Sequence, residues 1–391
     1  MNRSKHEKAL KLSILLSGGI ALADVAIYPA AEKIYQAYPD ASLGVLNFIL
    51  TGPSLILIFA SILCGFLVRY IGKKQLIVYG YVIFILTALA CVFLDQPVIL
   101  AVTRGIMGLT MGIVSTAMVG LIAELFTDES ARSSILGYYN GIMSALGAVF
   151  SFIAGYLAVL NWHYVFLVFL IMIPITAAIF FFVPDTAPEK NEASLSDSKE
   201  AMPYHRILPL AAAAFVINAM YAIVLTQIAP IAGELKIGGA SEAGIMTSLG
   251  TVGSLIACLL FGWLYERLKL FIPVIYSLLL ALGFFGLACS KNIWMAGALC
   301  TLLGAMYGLS YSYYLMYASI IVPPSKSSFA IAIVNAAVYL GIFVAPYVPM
   351  LYQSILRKNT IVAVLPYIAI TLVICTVISL IISIRRYRAD M

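Results

Sequence analysis

Long apolar runs separated by short polar turns dominate the chain. We count twelve apolar segments, at approximately 12–31, 43–68, 76–94, 98–122, 134–159, 164–183, 207–231, 243–264, 271–290, 293–322, 327–349 and 361–384. A transmembrane α-helix needs roughly 20 apolar residues, whereas a membrane β-barrel strand needs about 10 with alternating polarity. The pattern therefore predicts an all-α integral membrane protein with twelve transmembrane helices.

One long polar stretch separates six segments from the other six. Residues 184–206 contain three prolines, three serines and five acidic residues, which is typical of a linker. We therefore predict an N-terminal six-helix half over 1–183, a cytoplasmic linker over 184–206 and a C-terminal six-helix half over 207–391.

The composition excludes two broad classes of protein. Of 391 residues, 63% are hydrophobic and only 10% are charged, and the mean hydropathy is +1.04. A soluble domain is nearer half apolar and one quarter charged, so a water-soluble enzyme is excluded. The low charge and the 24 Tyr, 20 Phe and 3 Trp also oppose a disordered chain.

The basic residues orient the chain in the membrane. Of 23 Lys and Arg, 17 fall on the side of the N-terminus and five on the other side, with Arg104 inside a segment. Cytoplasmic loops carry the excess of Lys and Arg, so both termini are predicted to be cytoplasmic. The same spread among short loops argues against a nucleic-acid partner.

A long apolar run without a cleavage site after the basic N-terminus predicts an uncleaved first helix, and the short tails fit a bacterial inner membrane.

Cysteine and histidine give no sign of a cofactor or metal. The six cysteines lie in apolar segments without Cys-x-x-Cys spacing, so we expect buried thiols rather than a disulfide or zinc framework. The three histidines lie in polar stretches and turns. A phosphate-binding Gly-x-x-x-x-Gly-Lys-Ser/Thr loop is absent, which excludes nucleotide hydrolysis as the energy source.

The two halves share a basic turn at the same topological point. Gly65 and Lys74 bound this turn after the second segment, and Gly262 and Lys269 bound it after the eighth. Two six-span halves joined by a linker form the parallel-repeat architecture, in which the substrate site is central. Prolines within or near span ends are expected to kink helices. They are Pro29, Pro53, Pro230 and Pro346.

These motifs resemble those of the major facilitator superfamily, in its twelve-helix drug/proton antiporter-like branch. The first basic turn is similar to the family's signature turn, and the fourth segment to its span-4 arginine motif. The fifth segment resembles the antiporter motif, and Trp162 to Phe166 resembles the aromatic entry to span 6. The resemblance assigns conformational roles to Gly65, Arg69, Gly72, Lys73, Lys74, Gly108, Gly112, Gly147, Glu266 and Arg267.

The chain departs from the family pattern at two places. Arg69 stands where the signature turn has its acidic residue, whereas Glu266 keeps acidic character in the second turn. Ala148 replaces the proline expected after Gly147. Antiport and symport therefore both remain open.

Two charges lie deep in the apolar segments. A carboxylate such as Asp24 costs about 2.5–3.5 kcal/mol in a membrane and needs a partner, a cavity or a proton. The Arg104 guanidinium cannot deprotonate, and Asp24 is its natural partner. We predict that protonation of Asp24 weakens this pairing and couples proton movement to helix rocking. A static ion pair, or an Arg104 that binds an anionic substrate directly, are the alternatives. Tyr28 and Glu32, at i+4 and i+8, are expected on the face of Asp24, with Glu32 at the solvated outer rim.

Polar and tyrosine side chains recur at helical spacing and predict a partly wet cavity for aromatic or amphipathic molecules. Packing between helices, or an interfacial aromatic belt, is the alternative for the tyrosines. The candidate cavity residues are Tyr28, Asn47, Thr51, Met111, Asn140, Ser144, Asn218, Tyr221, Tyr307, Tyr311, Tyr314, Asn335 and Tyr339.

The resulting hypothesis is a secondary active transporter that works by alternating access. Proton-coupled efflux of a drug or metabolite is the first choice, and proton-coupled or facilitative uptake of an organic anion through Arg104 is the alternative. A membrane enzyme would need a nucleophile, a metal or an acid–base pair near an interface, and only Asp24 and Arg104 could serve. The expected partners are the lipid bilayer, a small-molecule substrate and protons, and a monomer suffices.

Overall fold

A computed structural model describes residues 3–126, 129–188, 203–322 and 327–389, and their regular structure is entirely helical. The α-helices are α1 Arg3–Leu16, α2 Ala31–Ala37, α3 Leu43–Leu67, α4 Lys73–Phe93, α5 Pro97–Leu125, α6 Glu129–Leu160, α7 Met172–Phe182, α8 Tyr204–Glu234, α9 Ala240–Leu268, α10 Ile272–Ala288, α11 Ile293–Ile320, α12 Ser327–Val344, α13 Tyr347–Leu356 and α14 Leu365–Ala389. Short 3₁₀ stretches interrupt or begin several spans.

The membrane spans match the twelve predicted segments. In the described residues, ten helical stretches are long and apolar enough to cross a membrane, and a bent pair, Ala330–Val344 with Tyr347–Leu356, makes eleven. One of the ten, Ala240–Ala288, has 49 residues. At about 1.5 Å per residue it would be about two and a half times as long as the hydrocarbon core is thick. It contains two helices, α9 and α10, which turn at Lys269 with a φ of 39°. Counting these two separately gives twelve.

The first span is not a uniform α-helix. Between α1 and α2 the backbone is 3₁₀ over Ser17–Ala26 and Tyr28–Ala30, and Leu22 is non-helical at φ −111° and ψ 19°. Gly18 disfavours an α-helix here and lets α6 approach, since a Cβ on it would lie 3.1 Å from the Tyr139 carbonyl oxygen. A long 3₁₀ stretch inside a helix often marks a functional hinge.

The prolines differ in what they do to their helices. Pro346 lies at the break between α12 and α13, where the eleventh span bends by 53°. Pro29 lies in the 3₁₀ part of the first span. Pro53 and Pro230 lie inside α3 and α8, which continue through them. In a membrane, such a helix must satisfy the freed carbonyl in another way.

The chain forms two compact units, Met1–Asp197 and Ser198–Met391. In the first, α3 packs on α5, α6 on the 3₁₀ part of the first span, and α4 on the sixth span. In the second, α9 packs on α11, α12 on α8, and α10 on α14. Numbered by span, the pairs 2–4, 1–5 and 3–6 recur as 8–10, 7–11 and 9–12. The repeat therefore extends to the packing. Most of the predicted linker, residues 189–202, lies outside the described residues.

Glycine pairs bring matching helices of each unit into backbone contact. A Cβ on Gly108 would lie 2.5 Å from the Pro53 Cα, and Gly112 meets Leu57 in the same way. In the second unit, Gly304 meets Gly250 and Gly308 meets the carbonyl of Ser254. The second pair was not predicted, although Gly304 and Gly308 have the same four-residue spacing of small residues.

Candidate functional site

The candidate site of the first unit lies around Asp24, in the 3₁₀ part of the first span. The carboxyl is only 6% exposed. One oxygen, Oδ1, lies 2.7 Å from Nη2 of Arg104, and Oδ2 accepts a hydrogen bond from the Ser54 hydroxyl at 3.3 Å. A buried carboxylate therefore has a cationic and a neutral donor.

Arg104 is fully buried on α5, two turns from the start of the helix. Besides Asp24, its Nε donates to the Ile49 carbonyl at 2.9 Å, and Nη2 lies 3.5 Å from the Leu50 carbonyl. Its Nη1 lies 3.8 Å from the Met107 sulfur. Every nitrogen of the guanidinium thus has a partner. The structure brings together the two charges that sequence analysis selected.

Polar side chains of α3 continue this site away from the ion pair. Asn47 accepts a hydrogen bond from the Tyr35 hydroxyl at 2.7 Å, and Thr51 donates to the Asn47 carbonyl at 3.0 Å. Tyr28 is buried within electrostatic range of Asp24. Tyr35 was not among the predicted residues, although it lies two residues before the end of the first span.

We expected Asp24, Tyr28 and Glu32 on one face of the first span; Tyr28 lies near Asp24, but Glu32 does not share this site. That expectation used the 3.6-residue period, but the backbone from Ser17 to Ala30 is mostly 3₁₀, with three residues per turn. Glu32 instead lies in the first turn of α2 and accepts from the Gln36 side chain at 3.1 Å.

The candidates on α5 and α6 differ in exposure. Met111 is buried, and so is Gly147. Ser144 is also buried and donates to the Asn140 carbonyl at 3.1 Å, while Asn140 itself is exposed. Of these four residues, only Asn140 offers a side chain at a surface.

Tyrosines of the second unit form a stack. The ring of Tyr221 on α8 lies 4.3 Å from that of Tyr307 on α11, and the planes differ by 12°. Tyr307 stacks in turn on Tyr311 at 6.1 Å, and Tyr311 donates to the Asn335 side chain at 3.1 Å. Tyr339 lies within electrostatic range of Tyr311. A small cavity within this unit is lined by Tyr221, Met246, Thr247 and Cys300 among others.

Two other candidates of the second unit have different surroundings. Tyr314 is buried, and its hydroxyl accepts from Tyr276 of α10 at 2.7 Å. It therefore packs between helices, the alternative that sequence analysis left open. Asn218 is fully buried on α8, where its amide nitrogen donates to the Ala214 carbonyl at 2.7 Å. Its Oδ1 has no hydrogen-bond partner among the described residues.

The basic turn after the second span is covered by the chain that leaves the sixth. Lys74 pairs with Asp185 at 2.8 Å, and its backbone N–H donates to the Thr186 hydroxyl at 3.0 Å. Gly72 leaves no room for a side chain, because a Cβ would collide with the Thr186 carbonyl. The basic turn thus contacts the residues that directly follow the sixth span.

The remaining turn residues have varied roles. Lys73 pairs with Glu124 at the end of α5 at 2.7 Å, an ion pair that sequence analysis missed because the partners are 51 residues apart. Arg69 lies 5.6 Å from the Phe66 ring centroid, and Gly65 has open space around it.

In the second unit, Arg267 lies 4.1 Å from the Trp263 ring centroid, and Glu266 is exposed. The basic residue and the aromatic ring therefore recur in the second turn.

The pair of Asp24 and Arg104 can exist in two states. In one, the carboxylate and guanidinium form an ion pair, and in the other a neutral carboxyl leaves the cation to the backbone carbonyls. A buried carboxylate that changes partner with proton uptake is the element that a proton-coupled carrier needs. Among the described residues, no group of three or more His, Cys, Asp or Glu could hold a metal ion.

Comparison with known proteins gives a family match over most of the chain. The family model of the Major Facilitator Superfamily matches residues 14–346. Two curated proteins, both named Methylenomycin A resistance protein, are similar over part of the chain. The one from Bacillus subtilis (strain 168) is 28% identical over 183 residues, which are 46% of this chain and 38% of its own length. The one from Streptomyces coelicolor (strain ATCC BAA-471 / A3(2) / M145) is 26% identical over 162 residues, 40% and 34% of the two lengths.

Solved structures match nearly the whole chain. A D-xylose-proton symporter superposes with a TM-score of 0.77 at 16% identity, covering 95% of this chain and 97% of the other. A bacterial homolog of the human lysosomal transporter Spinster, in an inward-facing and occupied conformation, gives 0.72 at 15% identity, covering 97% and 95%. At these identities the likeness shows the shared fold.

Proposed function

The chain belongs to the major facilitator superfamily, so it is a multi-pass membrane transporter rather than an enzyme. We propose that it couples the export of a small organic molecule to proton movement. Alternating access carries the substrate, and the Asp24–Arg104 pair carries the coupling. The observation that carries the proposal is the 2.7 Å contact between these two buried charges.

The charge balance explains why such a pair suits coupling. A proton on Asp24 removes the negative charge but leaves Arg104 cationic, so the attraction between the first and fourth spans weakens. The first span is 3₁₀ at this point and lies against α6 through Gly18, so a change in the pair acts on a segment with hinge-like backbone.

Export rather than uptake is supported by two observations. The curated relatives are named resistance proteins, and the matched part covers 46% of this chain in one of them. The stacked rings of Tyr221, Tyr307 and Tyr311 suit an aromatic or amphipathic organic substrate.

Uptake of an organic anion through Arg104 is the second candidate. Arg104 is 0% exposed and each guanidinium nitrogen has a partner, so an anion would have to displace Asp24 or a carbonyl. This cost favours the coupling role over direct substrate binding.

Transport in proteoliposomes under an imposed pH gradient tests the proposal. The probes are methylenomycin A, cationic dyes and aromatic acids, and the internal pH is followed at the same time. We expect the substrate to move uphill while protons move in the opposite direction. A protonophore should abolish this uphill transport, and so should Asp24→Asn. Glu32→Gln, the matched loss of a carboxylate on the same span, keeps it.

Each other result has a definite meaning. Uphill transport by Asp24→Asn would show that Asp24 is structural and the coupling argument is wrong. Proton and substrate moving in the same direction would replace export by uptake. Equilibration of substrate whatever the gradient would make the protein a facilitator.

A further inference from the structure

The helix α3 contains a backbone carbonyl that its own helix leaves without a partner. In an α-helix the N–H of each residue donates to the carbonyl four residues earlier. Pro53 has no N–H, so the Ile49 carbonyl loses its helical donor. Ile49 is fully buried, and a freed carbonyl in a membrane helix must find another partner.

Arg104 supplies that partner. Its Nε donates to the Ile49 carbonyl at 2.9 Å, in the place of the missing Pro53 N–H. Gly108, one turn further along α5, lies against Pro53, since a Cβ on it would come within 2.5 Å of the Pro53 carbonyl oxygen. The proline thus frees the acceptor and also forms the surface against which the arginine helix rests.

We propose that Pro53 is a positioning residue for Arg104, because it supplies a backbone acceptor that holds the guanidinium on α3 when Asp24 takes up a proton. Arg104 then has one partner that titrates, Asp24, and others that do not, of which the Ile49 carbonyl at 2.9 Å is the nearest. The ion pair can open without leaving a buried cation unpaired, which would be strongly unfavourable. The role of Asp24 protonation in transport rests on the proposed function, whereas the contact of Arg104 with α3 does not.

Two further titratable groups lie near the pair. They are the buried side chains of Tyr28 and of Cys91 on α4, which would interact with the pair only if they lost a proton. Ser54 donates to Asp24 and carries no charge. Pro53→Ala changes none of these three side chains, so we expect its effect on pH dependence to arise at the Ile49 carbonyl and at the contact of residue 53 with α5.

A double-mutant cycle in thermal unfolding tests the position independently of transport. In Pro53→Ala the new N–H competes with Arg104 for the Ile49 carbonyl, and with Asp24 intact we expect little change in the midpoint. In the double variant with Asp24→Asn, Arg104 faces a neutral amide and also shares the Ile49 carbonyl with the new N–H of residue 53. The midpoint of the double variant should then fall by at least about 3 °C more than the sum of the single changes.

The control is Pro230→Ala, a proline in the interior of α8 in the other unit. Its effect should add to that of Asp24→Asn. Additive effects for Pro53→Ala as well would overturn the proposal.

The pH profile of uphill transport is the second readout. Without the Ile49 acceptor, proton uptake by Asp24 leaves Arg104 poorly compensated, so a lower pH is needed. The midpoint of the profile should move down by about one pH unit in Pro53→Ala, which corresponds to one hydrogen bond to a charged group. Pro230→Ala should leave it unchanged, and an unchanged profile in Pro53→Ala would contradict the proposal. If Asp24→Asn retains uphill transport, the proposed function fails, yet the unfolding cycle still decides the role of Pro53.

Discussion

Replacing Gly108 by alanine perturbs the contact between α5 and α3 next to the ion pair. The added Cβ would lie 2.5 Å from the Cα and the carbonyl oxygen of Pro53. Carbon atoms in favourable contact are about 3.5–4.0 Å apart, so the helices must separate by about 1 Å. Overpacking of this kind costs about 1–3 kcal/mol. Because Arg104 lies one turn away, we also expect impaired uphill transport.

Gly65→Ala is the matched control for this prediction. This variant also replaces glycine by alanine in a helix, which stabilises the helix by about 0.5–1 kcal/mol. No atom lies within 4 Å of the added Cβ at position 65. The difference in the free energy of unfolding between the two variants therefore isolates the overpacking, about 1–3 kcal/mol in favour of Gly65→Ala. Unfolding in detergent micelles measures it. Equal stability of the two variants would refute the close approach of α5 and α3.

Two further predictions concern helix ends and tyrosines. Lys33 donates to the last carbonyls of α6 at 2.7 and 3.0 Å, so Lys33→Ala should lower the stability by about 1 kcal/mol in an unfolding experiment, while Lys8→Ala at an exposed position should not. Tyr307→Ala should raise the KM for an aromatic substrate, whereas Tyr314→Phe should leave KM unchanged. The latter should lower the stability by about 1 kcal/mol, because it removes the hydrogen bond with Tyr276. The reverse pattern would move the substrate contact from Tyr307 to Tyr314.

The sequence predicts the parts of this fold that depend on length and polarity. A run of roughly 20 apolar residues must form a helix in a bilayer, so the twelve segments and the all-helical fold follow directly. The sequence also predicts that Asp24 and Arg104 pair, because few groups can compensate a charge inside the membrane.

The sequence does not predict features that depend on local backbone geometry or on distant partners. The 3₁₀ conformation around Asp24 changes which residues share its face, and the 3.6-residue period missed this. The hydrogen bond between Arg104 and the Ile49 carbonyl joins residues 55 positions apart and needs the packing of α3 on α5. Tyr307 and Tyr314 are both predicted cavity residues of α11, seven positions apart, yet their neighbours on α8 and α10 give them different surroundings.

Infrared difference spectroscopy of the reconstituted protein, titrated with acid, can detect protonation of Asp24 itself. Protonation of a buried carboxyl gives a carbonyl band separate from those of solvated acids. We expect this band to grow as the pH falls in the wild-type protein and in Glu32→Gln, and to be missing in Asp24→Asn. An unchanged band in Asp24→Asn, or no such band in the wild-type protein over the pH range in which it transports, would contradict the claim that Asp24 carries the coupling proton.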